Sequence, residues 1–231
     1  MQDTLLDVLK SVDTPTVCNA IEAAQGKRGF NNFTKATMIA SAPEEKSVVG
    51  YALTAKIAAT SAPEDSAESV KERRMAYYKY MAEGQRPSVA VIEDSDFPDC
   101  VGAFWGEINT TVHKGFGVSG VVTNGVVRDL GDLPTGFPVI AGSIGPSHAF
   151  VHVREFGKPV SVFGLAVEEG DLVHADRHGA LVIPSLVIPS IQHAIEKLIA
   201  TERLVLDPAS EPDFDFEAFA EAWAAFEAAR T

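Results

Sequence analysis

The sequence is poor in basic residues. It holds 19 Lys and Arg against 32 Asp and Glu, a formal net charge of −13 at pH 7, and it shows no run of Lys or Arg. Proteins that bind nucleic acid do so largely through basic surfaces that neutralise phosphates. We therefore expect no nucleic-acid partner.

Cysteine is also scarce. The chain has two cysteines, Cys18 and Cys100, far apart and without a Cys-x-x-Cys motif. This pattern argues against a disulfide framework and is typical of a reducing compartment, with each cysteine acting as a small buried hydrophobic residue.

Long apolar runs are missing. No run approaches the ~18 residues that span a bilayer. The first residues, MQDTLLDVLKSVD, are acidic where a secretory signal is basic. The sequence thus predicts a cytoplasmic protein without membrane contact.

What the chain does contain is an alternation of strands and helices. With 46% hydrophobic residues in 231, it can bury a sizeable core. Helices are predicted near residues 5–9, from Thr14-Pro15 to Gly26, in the segment SAPEDSAESVKERRMAYYKYMAEG and in WGEINTTVHKGFG, which follows a loop, SDFPDCVGAF. Strands are predicted from near Val48, in SVAVIED, in VSGVVTNG and in LPTGFPVIAGS. The order predicts a layered α/β fold with a partly parallel sheet.

The pattern changes from Val151 onward. Short β-rich pieces divided by Gly-Lys-Pro, Glu-Glu-Gly-Asp and Asp-Arg-His-Gly predict several antiparallel strands packed on the first layer. SIQHAIEKLIATERLVL has helical spacing, and DPASEPD is interpreted as a linker.

The last segment predicts a helix with an aromatic face. Phe216, Phe219, Trp223 and Phe226 recur at spacings of three and four. This face either packs on the core or contacts another subunit, and neither role is catalytic.

Three charged residues stand where α/β proteins bind ligands. Glu107 lies at a predicted helix start, and Arg128-Asp129 follows a predicted strand, with twenty residues between Glu107 and Arg128. A helix, turn and strand of that length return the chain to its origin, so the three groups are expected to converge at one end of the sheet.

The helix start itself predicts an anion site. The backbone amides of Gly106, Glu107, Ile108 and Asn109 lie where unpaired N–H groups and the helix dipole attract a carboxylate or phosphate. Alternatively, Glu107 only favours the helix N-terminus and pairs with Arg128 in a structural ion pair.

These residues carry a family resemblance. Gly106-Glu107, twenty residues, then NGVVRD ending at Arg128-Asp129, followed by FPVIAGS and EEGDLVHADRHGALVIP, resembles the RraA-like family, which includes 4-hydroxy-4-methyl-2-oxoglutarate aldolases. The resemblance extends over roughly residues 14–205. It implies a single layered α/β/β domain of the swivelling type over residues 1–205, then a linker and C-terminal amphipathic helix over 206–231.

The resemblance also implies an activity. Lyases of this family cleave 4-hydroxy-2-oxo acids to pyruvate, decarboxylate oxaloacetate and use Mg²⁺ or Mn²⁺. Asp129 matches their metal ligand, Arg128 the substrate-binding cation, and Glu107 the acidic position that helps to hold metal-bound water. Assembly as a homotrimer or homohexamer is implied in the same way.

Two departures from the family pattern stand out. Asn124 replaces the Asp that many relatives have before the glycine, and GPSHAFVHVREFG differs from the Arg-Gly-containing segment of the aldolases. Relatives that bind and regulate a ribonuclease typically lack the Asp of the Arg-Asp pair, so Asp129 favours an enzyme. The ribonuclease regulator and a metal-dependent hydrolase or isomerase of a related diacid remain alternatives.

Other polar residues have structural interpretations as well as functional ones. His148 and His152 are four residues apart, as are His174 and His178, but both pairs fall in predicted strands and turns without an HExxH motif. We interpret them as surface or packing residues, with a pocket role for His148 or His152, or a zinc site, as the alternatives. Asp176 is interpreted as a turn residue. Glu196 and Glu202 lie either on a solvated helix face or, by the resemblance, near a neighbouring subunit's pocket.

Overall fold

The computed structural model describes residues 4–45 and 47–230. The first three residues of the acidic N-terminal segment, Lys46 and Thr231 lie outside the described part. The described residues of ranges 1–15 and 31–185 form one compact unit, and those of 16–30 and 186–231 form a second. The predicted boundary near residue 205 stays a prediction.

The helices lie where the sequence predicts them. They are α1 (Leu5–Ser11), α2 (Thr14–Gln25), α3 (Ala67–Glu83), α4 (Glu107–Gly115), α5 (Ile188–Ala209) and α6 (Phe216–Arg230). Ser66 caps α3 by accepting a hydrogen bond from the Ser69 amide, and Gly26, after α2, takes a positive φ of 61°. Of the predicted linker DPASEPD, the first three residues continue α5, with Pro208 inside the helix.

The strands are short except in the centre of the sheet. They are β1 (Ile39–Ala40), β2 (Val48–Ala58), β3 (Ser88–Asp94), β4 (Ala103–Trp105), β5 (Val118–Thr123), β6 (Val126–Val127), β7 (Val139–Ala141), β8 (Ser143–Ile144), β9 (His152–Phe156), β10 (Val160–Val162), β11 (Leu165–Val167), β12 (Leu172–Asp176) and β13 (Gly179–Val182). β4 covers the last two residues of the predicted loop SDFPDCVGAF and the first residue of the predicted helix WGEINTTVHKGFG, so the prediction was wrong for these three residues.

The main sheet has the order β1-β7-β5-β3-β2-β12-β13, with β9 also paired to β2. The pairs β2–β3, β3–β5 and β5–β7 are parallel. Helix α3 connects β2 to β3, and α4 lies between β3 and β5 in the chain. β9 and β12 pair antiparallel with β2. These late strands therefore extend the main sheet instead of forming a separate layer, because their backbone groups complete the edge of β2.

Two apolar layers cover the main sheet. On one face, Tyr77 and Met81 of α3 pack with Trp105, Phe137 and neighbouring strand residues. On the other face, the β10–β11 hairpin packs its valines and Leu165 against the sheet. The result is a helix layer, a mixed sheet and a β-hairpin layer, the α/β/β arrangement that the sequence predicts.

A second, smaller sheet carries the residues of interest. β4, β6 and β8 pair in parallel in that order. Their carboxyl ends therefore open at the same edge, where α/β proteins place ligand sites.

The second unit is helical. Ile191 and Ile195 are buried on α5, and Ala222 is buried on α6. Phe216 and Trp223 of the predicted aromatic face stay exposed, at 81% and 41%. Packing inside the chain thus uses only part of that face, and the subunit-contact alternative remains open.

In the part of the chain that the structure describes, no helix combines the length and apolar character needed to cross a membrane.

Candidate functional site

The first feature of the site is the adjacency of two strand ends. β4 ends at Trp105 and β6 at Val127, and the two strands are parallel neighbours. The pairing continues one step further, because the Arg128 amide donates to the Trp105 carbonyl at 2.9 Å. Gly106-Glu107 and Arg128-Asp129 therefore emerge side by side, as the twenty-residue spacing predicts.

Asp129 turns back onto the start of α4. Its φ is 57°, a left-handed conformation that is uncommon outside glycine and seen mainly in tight turns. Asp129 Oδ2 accepts a hydrogen bond from the Glu107 amide at 3.2 Å and lies 3.4 Å from Arg128 Nε. The carboxylate thus caps the helix N-terminus beside a guanidinium.

Gly106 is required by this close approach. A Cβ at residue 106 would lie 2.5 Å from Asp129 Oδ2 and 3.0 Å from Arg128 Nε. The backbone of Gly106 is extended, at φ −152°, so conformational freedom is not the reason for glycine. The space that a methyl group would fill is taken by the Asp129 and Arg128 side chains.

The side chains of Glu107 and Arg128 are not paired with each other in the described structure. Among the described residues, Glu107 forms no ion pair with Arg128, so the proposed structural ion pair between them is absent. Arg128 Nε is buried and lacks a hydrogen bond within the described structure, although it lies 3.4 Å from Asp129 Oδ2. An unpaired buried donor costs roughly 1–3 kcal/mol. Arg128 Nε is therefore a donor without a hydrogen-bond acceptor in the described structure.

Some backbone amides at the start of α4 donate a hydrogen bond to the protein, and others do not. The Glu107 amide binds Asp129, and the Thr110 amide donates to the Gly106 carbonyl at 3.0 Å. Within the described structure, no hydrogen bond joins the amides of Ile108 and Asn109 to the protein. These two amides are the part of the predicted anion site that remains available.

The donor set is compatible with a hard divalent cation. Asp129 Oδ1 accepts no hydrogen bond from the described residues. Glu107 is exposed and follows Gly106, the glycine that lies against Asp129 Oδ2. No group of three or more His, Cys, Asp or Glu that could hold a metal occurs among the described residues. Mg²⁺ commonly uses one or two protein carboxylates and completes its shell with water and substrate, so Asp129, with Glu107 nearby, fits such an ion.

Comparison with known proteins identifies the family. The model of the family described as RraA-like, Aldolase/RraA, matches residues 14–182. The chain belongs to the RraA-like family.

Relatives of the RraA-like chain cover most of its length. An uncharacterised protein of Methanocaldococcus jannaschii is 26% identical over 202 residues, 87% of this chain and 86% of its own. A Halalkalibacterium halodurans protein with the provisional name 4-hydroxy-4-methyl-2-oxoglutarate aldolase is 25% identical over 177 residues, 76% of this chain and 74% of its own. Both relatives span the segment that holds the Arg-Asp pair.

A solved structure shows the same fold. The crystal structure of Streptomyces coelicolor RraAS2, described as an unusual member of the RNase ES inhibitor RraA protein family, aligns with a TM-score of 0.63 at 21% identity, covering 91% of this chain and 98% of that one. At that identity the likeness establishes the fold alone.

One departure from the usual RraA-like pattern has a structural reason. Asn124 Oδ1 accepts from the Asp94 amide at 2.7 Å, and Asn124 Nδ2 donates to the Asp94 carbonyl at 3.1 Å. An ionised Asp at this position has no donor for the second bond. Asn124 therefore clamps the end of β3 to the turn that leads into β6 and Arg128.

The other departing segment, which begins at Gly145, lies beside β4. The Ser147 carbonyl accepts from the Ala103 amide at 2.8 Å, and the His148 carbonyl approaches Gly102. His148 Nδ1 contacts the neighbouring Ala149 carbonyl at 2.7 Å, and His152 Nδ1 contacts the Phe150 carbonyl at 2.9 Å. A pocket role for either histidine stays a prediction.

In the second histidine pair, His174 anchors α1. His174 is fully buried, with Nδ1 3.0 Å from Thr14 Oγ1 and Nε2 2.9 Å from the Leu9 carbonyl. Burial lowers the pKa of His174. Asp176 accepts from the amides of Thr14 and His178, so it serves the turn, as predicted, and the N-terminal segment as well.

The C-terminal acidic residues lie on α5, in the second unit. Glu196 accepts a hydrogen bond from Gln192 Nε2 at 3.0 Å, and Glu202 is half-buried. Their entry into a neighbouring subunit's site stays a prediction.

Proposed function

We propose that this RraA-like protein is a divalent-metal-dependent lyase that cleaves a 4-hydroxy-2-oxo acid, such as 4-hydroxy-4-methyl-2-oxoglutarate, to pyruvate, and that also decarboxylates oxaloacetate. The observation that carries the proposal is the position of the Asp129 carboxylate, 3.2 Å from the Glu107 amide and 3.4 Å from Arg128 Nε. A carboxylate, a guanidinium and unused helix amides at one point are suited to a short anionic substrate.

Asp129, with Glu107 nearby, would hold Mg²⁺ or Mn²⁺ at this point. When bound, such an ion supplies Lewis-acid chemistry, drawing electron density from the 2-oxo group as the C3–C4 bond breaks. The protein's contribution is to place oxygen ligands and to leave positions open for substrate.

Arg128 would bind and stabilise the reacting end of the substrate. Its permanent charge and partly exposed side chain would provide donors for the oxygen that gains negative charge as the bond breaks. The Ile108 and Asn109 amides, at the positive end of α4, would receive the substrate carboxylate. Since those donors are fixed before substrate arrives, no reorganisation is needed at the moment of reaction.

Glu107 is the candidate for proton handling. Aldol cleavage requires removal of the C4 hydroxyl proton, whereas loss of CO₂ from oxaloacetate requires no base. Glu107 is exposed at the first position of α4, so its carboxylate is free to act through water. The two reactions would therefore share the site but differ in their dependence on Glu107.

The test measures pyruvate release from both substrates with Mg²⁺, with EDTA and in two arginine variants. Arg128→Ala should lower kcat/KM at least about 100-fold, whereas Arg154→Ala, an exposed arginine on β9, should leave it unchanged. Metal-only blanks correct for oxaloacetate decay without protein. Activity that is indifferent to EDTA, or retained in Arg128→Ala, would contradict the proposal.

Two alternatives give different outcomes in the same assay. A ribonuclease-binding regulator gives no turnover with any 2-oxo acid and a saturable complex with the ribonuclease by calorimetry. A metal-dependent hydrolase or isomerase of a related diacid gives turnover only in a wider substrate panel.

Assembly as a homotrimer or homohexamer is part of the proposal. Exposed apolar side chains adjoin the site, namely Ile108 at 74%, Leu130 at 41% and Ile144 at 53%. Adjacent exposed apolar residues of this kind are typical of surfaces that other chains cover. Light scattering coupled to size exclusion measures the mass.

A further inference from the structure

A buried polar network lies beneath the first turn of α4. It joins Tyr77 and Tyr78 of α3 to Asn109 and His113 of α4, and Asn109 to the Phe104 carbonyl on β4. None of these side chains belongs to the proposed catalytic set.

Asn109 is the centre of this network. Its Oδ1 accepts from the Tyr78 hydroxyl at 2.7 Å, and its Nδ2 donates to the Phe104 carbonyl at 2.6 Å. Its main-chain carbonyl also lies 2.6 Å from His113 Nδ1. One residue in the first turn is thus tied to α3, to β4 and to the next turn of its own helix.

The protonation of His113 follows from its partners. A carbonyl only accepts, so Nδ1 carries the proton toward Asn109, and Nε2 accepts from the Tyr77 hydroxyl at 2.8 Å. Burial lowers the pKa of His113 to about 4. The ring is therefore neutral near pH 7, and the direction of both hydrogen bonds is fixed.

The same helix turn holds the site. Gly106 precedes the turn and Glu107 begins it, and the Glu107 amide donates to Asp129 Oδ2. Thr110 Oγ1 donates to the Gly106 carbonyl at 2.8 Å. Movement of the turn by a fraction of an ångström would change the distance between the Glu107 amide and Asp129.

We infer that Asn109, held by Tyr78 and His113, is a positioning residue that sets the N-terminus of α4 against β4 and thereby places the Asp129 carboxylate. The effect of Asn109 on catalysis rests on the proposed lyase function. Its effect on the position of the α4 N-terminus does not depend on that function.

The experiment compares Tyr78→Phe with Tyr80→Phe. Each removes one hydroxyl from α3 and keeps the ring, and both tyrosines are partly buried. The Tyr80 hydroxyl instead accepts from the Thr54 amide of β2 at 3.0 Å, so it controls for general loss of stability. Three quantities are measured: exchange of the Thr110 amide, Mn²⁺ affinity, and kcat/KM.

Tyr78→Phe should speed exchange of the Thr110 amide about tenfold and lower Mn²⁺ affinity and kcat/KM by a similar factor, since one hydrogen bond is lost. Tyr80→Phe should lower Tm while leaving all three near wild type. Unchanged exchange in Tyr78→Phe, or equal change in both variants, would overturn the inference. A wild-type protein without turnover would refute the lyase proposal, but the exchange comparison would still decide the positioning role.

Discussion

At the scale of single residues, the site depends on the absence of a side chain at Gly106. The extended backbone there suits any amino acid, yet the place of its Cβ is taken by the side chains of Asp129 and Arg128. Glycine therefore allows two charged groups to meet a helix N-terminus. The sequence marks the glycine, but only the structure gives this reason for it.

Gly106→Ala should cost activity more than stability. The added methyl would push the Asp129 carboxylate away from the Glu107 amide, and misplacement by about 1 Å lowers rates on the order of 100-fold. Gly115→Ala is the matched control, because the same helix ends there and no atom lies within 4 Å of the new Cβ. Lyase kinetics and Tm of both variants check this. Equal kinetics would show that Asp129 tolerates displacement.

At the scale of elements, α3 and α4 are joined in two places. The network around Asn109 joins the first turn of α4 to Tyr77 and Tyr78, which lie in the second half of α3. At their carboxyl ends, Arg86 Nε and Nη2 donate to the Phe116 carbonyl at 3.0 and 2.8 Å, and Nη1 donates to the Gly84 carbonyl at 2.7 Å. A cation at two helix C-termini also suits both helix dipoles.

Arg86→Met should lower the free energy of unfolding by about 2–4 kcal/mol, because several partly buried carbonyls lose a charged donor. Arg74→Met, at an exposed position on α3, should change it by less than about 0.5 kcal/mol. Urea unfolding measures both. A loss confined to Arg74→Met would contradict this account of the α3–α4 contact.

Prediction of elements from the sequence succeeded where the pattern was long. The apolar run of β2, the capped helix α3 and the glycine-bounded α4 each carry a local signal, and each lies where it was expected. β4 was missed because three residues, Ala103–Trp105, give no periodicity and follow a loop rich in Pro, Asp and Gly. The convergence of Glu107 with Arg128 was predictable from spacing, whereas capping by Asp129 was not, because it needs a left-handed residue.

At the scale of the whole molecule, the presence of helix and strand layers follows from residue patterning. The order of the strands does not. The late strands looked like a separate layer, because short antiparallel pieces do not reveal which edge they join. The structure places β9 and β12 along β2, and only β10–β11 as the covering hairpin. Pairing of strands over 100 residues apart depends on tertiary contacts that no local signal contains.

The stability of the molecule should depend on pH through its buried histidines. Burial lowers the pKa of His113 to about 4 and lowers that of His174. The unfolded chain binds protons on both groups near pH 6.5, so their stabilising effect is complete above that pH and is lost as pH falls toward 4. Burial raises the pKa of Asp94, which acts in the opposite direction.

Unfolding by urea at several pH values between about 4 and 6.5 checks this sign. The wild-type free energy of unfolding should fall on acidification more steeply than that of His113→Gln, which cannot take up the proton. Parallel slopes would exclude His113 as a source of the pH dependence.

The candidate site residues follow the strands of a small sheet of their own, with strands of only two or three residues. The eight strands of the main sheet pair separately from it. Substitutions in the segments after β4, β6 and β8 therefore leave the hydrogen bonds of the main sheet in place. We expect variants of these segments to bind different ligands on an unchanged main sheet.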